Sequence, residues 1–231
     1  MPPFSKTLEP ADYAWIEKQY VERAWHALDG LHRRLDHRHR EWEWSLALKA
    51  IRTVRGHTVL DIGGGASVFS PAACMMGCEV TQVDLDNNAE CIRLHSERCE
   101  AHVSSYVDGQ PRFAPMRFVH GDFAAVINDQ FYDAVCAISV IEHVEDDDSF
   151  LCKMCDRVSP GGVLIITTDF HESGKPRCDL HLRTYNRASL TRLQGIAESL
   201  GLSPMGGAPK WLNTGTSVNG YNFASLIMQR S

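Results

Sequence analysis

The chain has 231 residues, of which 44% are apolar, and a formal net charge of −6. This length suffices for one α/β domain, and the acidic balance disfavours broad capture of nucleic acid or of an anionic membrane, which both require a basic excess. The longest apolar runs, such as residues 134–141, are far shorter than the roughly 20 residues of a bilayer span. The first residues, MPPFSKTLEP, lack the basic start and apolar core of a secretory signal, so we expect a cytoplasmic protein.

The eight cysteines are irregularly spaced, and several stand in apolar runs such as AACMMGC and VCAIS. In a chain of this length, reduced core thiols are more common than a disulfide framework. Cys152 with Cys155 and Cys74 with Cys78 form two close pairs, but both pairs lie in predicted helices and not in the tight turns of a structural zinc site. The sequence therefore predicts free cysteines and no metal.

Two helices are predicted before residue 57. Apolar side chains recur at helical spacing from residue 10 to residue 35, with an interruption at Asp29-Gly30, and a second helix is predicted from about residue 31 to residue 54. In this second helix Trp44 lies on the apolar face, whereas Trp42, two positions away, is expected to point elsewhere. We expect residues 1–56 to form a helical cap that belongs to the same domain as residues 57–231.

From residue 57 onward, short apolar runs alternate with helical stretches. This alternation indicates a doubly wound α/β fold with a mainly parallel, seven-stranded sheet that is covered on both faces. The last two strands are joined by a loop without a helix, so one of them is expected to be antiparallel. The predicted strands cover residues 58–62, 79–84, 114–119, 132–138, 162–169, 202–208 and 221–229, and the predicted helices between them cover residues 66–76, 87–104, 122–128, 147–158 and 187–200.

Three consecutive glycines, Gly63, Gly64 and Gly65, follow the first predicted strand, which ends close to Asp61. At the carboxyl end of a strand in an open α/β sheet, bare backbone lets a ligand approach, and the next helix offers free N–H groups. A tight structural turn alone would also explain the glycines. The second strand ends in Asp84, whose carboxylate can accept hydrogen bonds from both hydroxyls of a ribose.

Five segments that follow one another in order resemble the motifs of class I S-adenosylmethionine-dependent methyltransferases, in particular those that act on small molecules. VLDIGGGAS is similar to the first motif of that family, VDLD to its ribose motif, HGDF to its adenine motif, AISVIEHV to the segment after the fourth strand, and SPGG to the turn before the fifth. Ser67 stands where a third glycine is frequent. The resemblance covers about residues 57–230 and implies a Rossmann-like methyltransferase fold and the cofactor S-adenosyl-L-methionine, but it leaves the methyl acceptor open.

For the methionine end of the cofactor, the resemblance implies roles for the first and fourth strands. Asp61 would lie beneath the glycine turn, residues 63–65, and help to hold the methionine part against the bare backbone. The backbone of Ile138 and Ser139 would face the amino group and the sulfonium.

For the nucleoside end, the resemblance implies that Asp84 binds the ribose and that Leu85 packs on the adenine. Asp122 would accept a hydrogen bond from the adenine amino group, and Phe123 would cover the ring. An alternative for Asp122 is a helix N-cap, because Asp is favoured there. The spacing of 38 residues from Asp84 to Asp122 indicates an inserted loop in SSYVDGQPRFAP.

A hydroxyl acceptor needs a group that removes its proton, and a positioned His or carboxylate supplies roughly 10²–10⁴-fold in rate. The candidates for this catalytic role are Glu142 and His143, just past the fourth strand, and His181 in the segment CDLHLRTYN. A metal held by Glu142, His143 and Asp169 is an alternative, but the carboxylate pattern is thin.

Substrate contacts are predicted for residues near the same edge of the sheet. His171 follows the fifth strand, and Arg183 and Tyr185 lie in a segment that resembles the border of the acceptor pocket in many family members. Tyr13 and Trp42 on the cap helices could close over that pocket. As an alternative to substrate contact, each of these side chains could simply pack in the core or in the lid.

The sequence therefore predicts an enzyme that transfers a methyl group to a small-molecule acceptor, with oxygen as the expected acceptor atom. A sugar, a nucleotide-linked sugar or a natural-product intermediate would suit this reaction, with no nucleic acid or membrane as partner. The alternatives are a binding protein that has lost catalysis, a nucleic-acid methyltransferase and a nicotinamide-dependent oxidoreductase. The segment ISVI after the fourth strand lacks the Asp/Asn-Pro-Pro-aromatic set that grips an exocyclic amine, which disfavours the nucleic-acid methyltransferase.

Overall fold

The computed structural model describes residues 3–7, 18–28, 40–106, 113–127, 129–173, 183–212 and 222–231. Helices and strands alternate along most of this part of the chain, as the sequence predicts. The helices are α1 (Lys18–Ala27), α2 (Glu41–Thr53), α3 (Phe69–Met75), α4 (Ala89–Tyr106), α5 (Phe123–Val126), α6 (Asp147–Cys155) and α7 (Arg187–Ser199), with a 3-10 turn at Ile141–His143. The strands are β1 (Thr58–Ile62), β2 (Glu79–Asp84), β3 (Met116–His120), β4 (Tyr132–Ile138), β5 (Val158–Phe170), β6 (Leu202–Pro204) and β7 (Asn222–Arg230).

Within the described residues, the strands form one seven-stranded sheet in the order β3-β2-β1-β4-β5-β7-β6. Strands β1 to β5 are parallel to one another, and β7 runs antiparallel to both β5 and β6. The predicted doubly wound fold with an antiparallel strand near the C-terminus is confirmed. Parallel strands need helices on both faces, which explains why β1 and β4 are buried along almost their whole length.

Two hydrophobic clusters cover the two faces of the sheet, because successive strand residues point to opposite sides. Val59 packs with α1, α2 and α3 on one face, whereas Leu60 packs with α6 and α7 on the other. The prediction that Trp42 points away from the core is wrong, because its side chain is only 1% exposed. Helix α2 contacts α1 as well as β4 and β5, so it is covered on more than one side. The assignment of residues 1–56 as a cap on the same domain stays a prediction.

The fifth strand is longer than predicted, because the SPGG segment belongs to it. Val158 pairs with Tyr132, and a register shift between Tyr132 and Ala134 separates this pair from the regular ladder. Gly162 lies so close to β4 that a Cβ atom there would come within 2.9 Å of the Asp133 carbonyl oxygen. The glycines therefore allow an irregularity inside the strand, and the sharp turn expected before it is not formed.

The N-terminal segment, residues 3–7, is tied to the C-terminal strand. The Ser5 hydroxyl donates to the Ile227 carbonyl oxygen at 3.0 Å, and the Ser225 hydroxyl donates to the Phe4 carbonyl oxygen at 2.6 Å. Phe4 itself is 3% exposed. Together with an isolated bridge between Thr7 and Ala224, these contacts hold residues 3–7 against β7.

The seven described cysteines are free thiols; six lie in α3, α4, β4 and α6, and Cys78 lies between α3 and β2. Burial raises the pKa of several of these thiols, for example that of Cys99 to about 12, so they stay protonated at neutral pH. None of the helices in the described part of the chain is both long and apolar enough to cross a membrane.

Candidate functional site

Two cavities open at the carboxyl ends of the parallel strands, and both touch Gly63. The smaller one, of about 210 Å³, lies on the side of the N-terminal helices and the larger one, of about 630 Å³, lies between β2, β3 and α6. The smaller cavity is lined by Trp25, Arg40, Trp44, Asp61, Gly63, Gly64, Ala66, Ser67, Val68, Ile138 and Ser139. The larger cavity is lined by Ile62, Gly63, Val83, Asp84, Leu85, Gly121, Asp122, Phe123, Ala124, Val140, His143, Val144, Glu145, Asp146, Ser149, Phe150 and Lys153.

The glycine turn between the two cavities requires glycine for steric reasons. Gly63 has a φ of +67°, and a Cβ atom there would come within 2.7 Å of the Val140 side chain. A Cβ atom at Gly64 would come within 2.2 Å of Asp61 Oδ2. Gly65 has a φ of +53° but more space around it, and its N–H donates to Asp84 Oδ2 at 2.7 Å. The turn is therefore held closely against the ends of β1 and β2.

Asp61 lies beneath this turn at the end of β1. Its side chain is 1% exposed, and Oδ2 accepts a hydrogen bond from the Ser70 hydroxyl at 2.6 Å. Burial, together with the nearby Asp84 carboxylate, raises the pKa of Asp61 to about 7, although the bond from Ser70 opposes this rise. Asp61 also lines the smaller cavity, and its contact with the methionine part of the cofactor stays a prediction.

Asp84 connects the second strand to the glycine turn. Besides the bond from Gly65, its Oδ1 accepts from the Asp86 N–H at 2.9 Å. Each carboxylate oxygen has a second lone pair, so both can still accept a hydrogen bond from a ligand in the larger cavity. Gln82, which sequence analysis missed, is buried on the same strand and donates from Nε2 to the Gly65 carbonyl oxygen.

The nucleoside residues proposed from the sequence lie around the larger cavity. Leu85 is 73% exposed, which is unusual for a large apolar side chain and leaves its surface open to a flat partner. Asp122 caps α5, because its Oδ1 accepts from the Ala124 N–H at 2.9 Å. The alternative role of a helix N-cap is thus present, and Oδ2 is not engaged in that cap. Phe123 packs edge-on against Phe150, with ring centroids 5.6 Å apart.

The smaller cavity has a wall that sequence analysis did not anticipate. Trp25 of α1 and Trp44 of α2 stand with ring centroids 5.8 Å apart, and Arg40 lies beside them. Arginine at this place suits a carboxylate ligand, because its guanidinium donates two parallel hydrogen bonds. The unusual density of tryptophan in EWEW was the only signal of this wall in the sequence.

Ser139, directly after β4, has the left-handed φ of +52°, which is rare for a residue with a side chain. Its hydroxyl donates to Glu43 Oε1 at 2.8 Å, and its N–H bonds to Thr167. Ser139 and Ile138 both line the smaller cavity. Glu43 is 0% exposed and lies on α2, so a helix from the N-terminal region reaches the end of the central strand.

The two neighbouring candidates for proton removal lie in different environments. His143 is exposed at the larger cavity, and partial burial together with the Arg40 charge lowers its pKa, which favours the neutral imidazole that can accept a proton. Glu142 is 1% exposed, lines neither cavity, and accepts from the Thr168 hydroxyl at 3.1 Å. Burial and the Asp169 charge raise the pKa of Glu142 to about 8. His143 is therefore the better placed of the two.

The residues proposed for substrate contact line neither of these cavities where they are described. Tyr185 is 2% exposed, and its hydroxyl donates to Asp147 Oδ2 at 2.8 Å. Arg183 donates to the Glu145 carbonyl oxygen at 3.1 Å, and His171 Nδ1 lies 2.8 Å from the Ser173 hydroxyl. Trp42 is buried in the core.

The polar groups of Arg183 and Tyr185 have partners in the protein, and contact of these residues with a substrate stays a prediction. Tyr13 and His181 lie outside the described residues. Among the residues that the structure describes, no three His, Cys, Asp or Glu side chains are grouped so that they could hold a metal ion. The alternative metal set of Glu142, His143 and Asp169 thus has no support from the geometry.

Solved structures of methyltransferases align with most of this chain. The magnesium protoporphyrin IX methyltransferase (ChlM) from Synechocystis PCC 6803, with bound SAH, aligns with a TM-score of 0.58 over 92% of this chain and 95% of that chain, at 14% identity. The N-methyltransferase NodS from Bradyrhizobium japonicum WM9 aligns with a TM-score of 0.57 over 84% of this chain and 98% of that chain, also at 14% identity. At this level of identity the likeness shows the fold.

Sequence comparison gives a consistent result. Over 156 residues, the chain is 28% identical to the ubiquinone biosynthesis O-methyltransferase of Paramagnetospirillum magneticum. This aligned region covers 67% of this chain and 57% of that protein. Over 113 residues, it is 27% identical to the mitochondrial ubiquinone biosynthesis O-methyltransferase of Schizosaccharomyces pombe. This aligned region covers 49% of this chain and 38% of that protein. The matched region thus spans little more than half of these curated relatives, or less.

A family model described as a methyltransferase domain matches residues 27–203, well over half of the chain. This range contains β1 to β5, the glycine turn and most of the lining of both cavities. The resemblance to class I S-adenosylmethionine-dependent methyltransferases is confirmed, and the chain belongs to the methyltransferase-domain family.

Proposed function

We propose that this protein transfers a methyl group from S-adenosyl-L-methionine to the oxygen of a small-molecule acceptor. The observation that carries the proposal is the pair of cavities that meet at Gly63, with Asp61 at one and Asp84 at the other. A ligand that joins an amino-acid part to a nucleoside would fill both cavities and pass over the bare backbone between them. Gly63 lines both cavities, so a ligand that spans them would lie against backbone that carries no side chain at this position.

The residues present fit this cofactor at both ends. In the smaller cavity, Arg40 would bind the carboxylate of the methionine part, and Asp61 with the backbone of Ser139 would face its amino group. In the larger cavity, Asp84 would accept from the ribose hydroxyls, and the exposed side chain of Leu85 would pack on the adenine.

On the other side of the adenine, Phe123 would cover the ring. Asp122 would accept from the adenine amino group through the carboxylate oxygen that does not cap α5. The larger cavity thus offers both an apolar surface and acceptor oxygens for a nucleoside.

When bound, the cofactor supplies an activated methyl group on a sulfonium, and the protein mainly has to align donor and acceptor, which accounts for roughly 7–11 kcal/mol of a barrier of this kind. His143 would remove the proton of an acceptor hydroxyl, because it is exposed at the larger cavity and its lowered pKa favours the neutral ring. The Trp25 and Trp44 rings would exclude water from the smaller cavity.

The choice of oxygen is supported by the names of the curated relatives, which are O-methyltransferases, whereas several of the similar structures are N-methyltransferases. The free thiols of the described cysteines support a reducing compartment, so we propose that the reaction takes place in the cytoplasm.

Thermal unfolding with and without S-adenosyl-L-methionine, its demethylated product and NAD tests the choice of cofactor. Ligand binding raises stability by mass action, so we expect both sulfur compounds to raise the Tm and NAD to leave it unchanged. Asp84→Ala and the closer replacement Asp84→Asn should abolish most of this shift, whereas Asp86→Ala, which removes the next and exposed acid, should keep it. A shift with NAD alone, or an unchanged shift in both Asp84 variants, would contradict the proposal.

Turnover is tested separately with a labelled methyl donor and a panel of hydroxyl-bearing small molecules. Transfer to at least one acceptor is expected. Donor binding without transfer to any acceptor would favour the alternative of a binding protein that has lost catalysis.

A further inference from the structure

We propose that Glu43 on α2 is a positioning residue for the methyl donor and that it acts through Ser139. This inference rests on the proposed function, because it takes the smaller cavity to be the place of the donor's methionine part. It starts from a buried carboxylate, 96 residues away in the sequence, that accepts a hydrogen bond from a residue lining this cavity.

Burial of the Glu43 carboxylate costs free energy that its polar contacts have to offset. Glu43 is 0% exposed, and a buried carboxylate strongly destabilises a protein unless it is paired and hydrogen-bonded. Its Oε1 accepts from the Ser139 hydroxyl at 2.8 Å, and its Oε2 lies 3.8 Å from Arg40 Nη1. Among the described residues, Oε2 has no hydrogen-bond partner. The bond to Ser139 is thus the principal polar contact of this side chain.

A hydrogen bond of this kind can hold the backbone conformation of Ser139. Its φ of +52° is a conformation that L-residues rarely adopt, and a residue there persists only when its surroundings hold it. The N–H of Ser139 bonds to Thr167 on β5, and its hydroxyl bonds to Glu43 on α2. Two elements therefore hold this residue from two sides, at the point where the chain leaves β4.

The start of α2 also contributes a residue that lines the cavity directly. Arg40, which directly precedes the helix, lines the cavity itself and forms an ion pair with Glu43. The methionine part of the donor carries a carboxylate and an ammonium group, so a site that holds it benefits from a cation at one end and oriented backbone groups at the other. Docking of α2 supplies Arg40 directly, and it supplies the oriented backbone through the bond from Ser139 to Glu43.

Calorimetric titration of the full chain with S-adenosylhomocysteine tests this coupling. We expect Glu43→Ala and Ser139→Ala each to weaken binding about tenfold or more, because a hydrogen bond to a charged group is lost. The double variant should be no weaker than either single variant, because the two residues act as one unit. Glu43→Gln retains an oxygen that can accept from Ser139, so it should restore most of the affinity that Glu43→Ala loses.

Ser45→Ala is the matched control, because Ser45 is also buried on α2 and its hydroxyl has no hydrogen-bond partner in the described part of the chain. Its affinity should equal that of the unchanged protein. Additive losses in the double variant, or full affinity in Glu43→Ala at a temperature where it is folded, would overturn the inference. If the unchanged protein itself fails to bind, the proposed function fails instead, and the two outcomes are distinguished by that first titration.

Discussion

Replacing Gly64 by alanine perturbs the contact between the glycine turn and the end of β1. The added Cβ atom would stand 2.2 Å from Asp61 Oδ2, 2.8 Å from Asp61 Cγ and 2.7 Å from Gln82 Nε2. Ordinary van der Waals contacts of a Cβ atom begin near 3.4 Å, so the overlap with Asp61 Oδ2 exceeds 1 Å. Both neighbours are 1% exposed, and neither can swing out into solvent.

The expected loss of stability follows from the groups that the added Cβ atom would displace. Displacing Asp61 strains or breaks its bond from Ser70, which as a bond to a charged group is worth about 1.5–3 kcal/mol. Overpacking of a well-packed core adds about 1–3 kcal/mol. We therefore expect Gly64→Ala to lower the free energy of unfolding by about 3–5 kcal/mol, which for a domain of this size lowers the Tm by roughly 6–20 °C.

Urea unfolding followed by circular dichroism measures this loss of stability, and titration with the donor measures whether binding changes as well. Gly195→Ala is the matched control, since a Cβ atom there meets nothing within 4 Å and the residue lies in α7, where alanine is favoured by about 0.5–1 kcal/mol. Gly65→Ala should lie between the two, because its Cβ atom would touch only Asp84 Oδ2 at 3.9 Å and the cost of its positive φ is about 1–2 kcal/mol. A Gly64→Ala protein within about 1 kcal/mol of the unchanged protein would refute the steric reasoning.

Two further predictions concern the carboxyl group and the imidazole after β4. Because burial raises the pKa of Glu142 from 4.5 to about 8, the folded state binds a proton that the unfolded state releases, so stability is highest below the unfolded pKa and falls as pH rises towards 8. Glu142→Gln should remove the part of this fall that Glu142 causes, which amounts to at most about 1.4 kcal/mol per pH unit. Urea titrations of both proteins at pH 7 and pH 8 measure the difference, because the contribution of Asp61, whose pKa of about 7 leaves it partly protonated in this interval, is common to both. An equally steep fall in the variant would show that Glu142 is not its source. His143→Ala should lower turnover by about 10²–10⁴-fold with donor affinity nearly unchanged, as measured by initial rates and by calorimetry, whereas loss of donor affinity would indicate a structural role.

The core of the sheet could be predicted because its strands bury both faces. Strands β1, β2 and β4 begin and end at the predicted residues, 58–62, 79–84 and 132–138. Short apolar segments that alternate with helical stretches are typical of the buried strands of a parallel sheet. β5 was predicted too short, because a proline and two glycines normally indicate a turn, and here they lie in an irregular part of the strand.

The wall of the smaller cavity could not be predicted, because it depends on contacts between distant parts of the chain. Glu43 and Ser139 are 96 residues apart, and nothing in either segment indicates the other. Periodicity also failed for Trp42, because nine of the 13 residues of α2 are buried. A helix that is covered on most sides has no single apolar face from which an orientation could be inferred.

Attachment of residues 3–7 to β7 has a consequence for biosynthesis. Residues 3–7 find hydrogen-bonding partners in β7, with a separation of 222 positions for Ser5 and Ile227, and β7 is also the strand that joins β5 to β6. This part of the sheet can therefore form only after residues 222–230 have been made. Between the synthesis of β5 and that of β7, the edge of β5 lacks its partner strand and is open to edge-to-edge association with other chains.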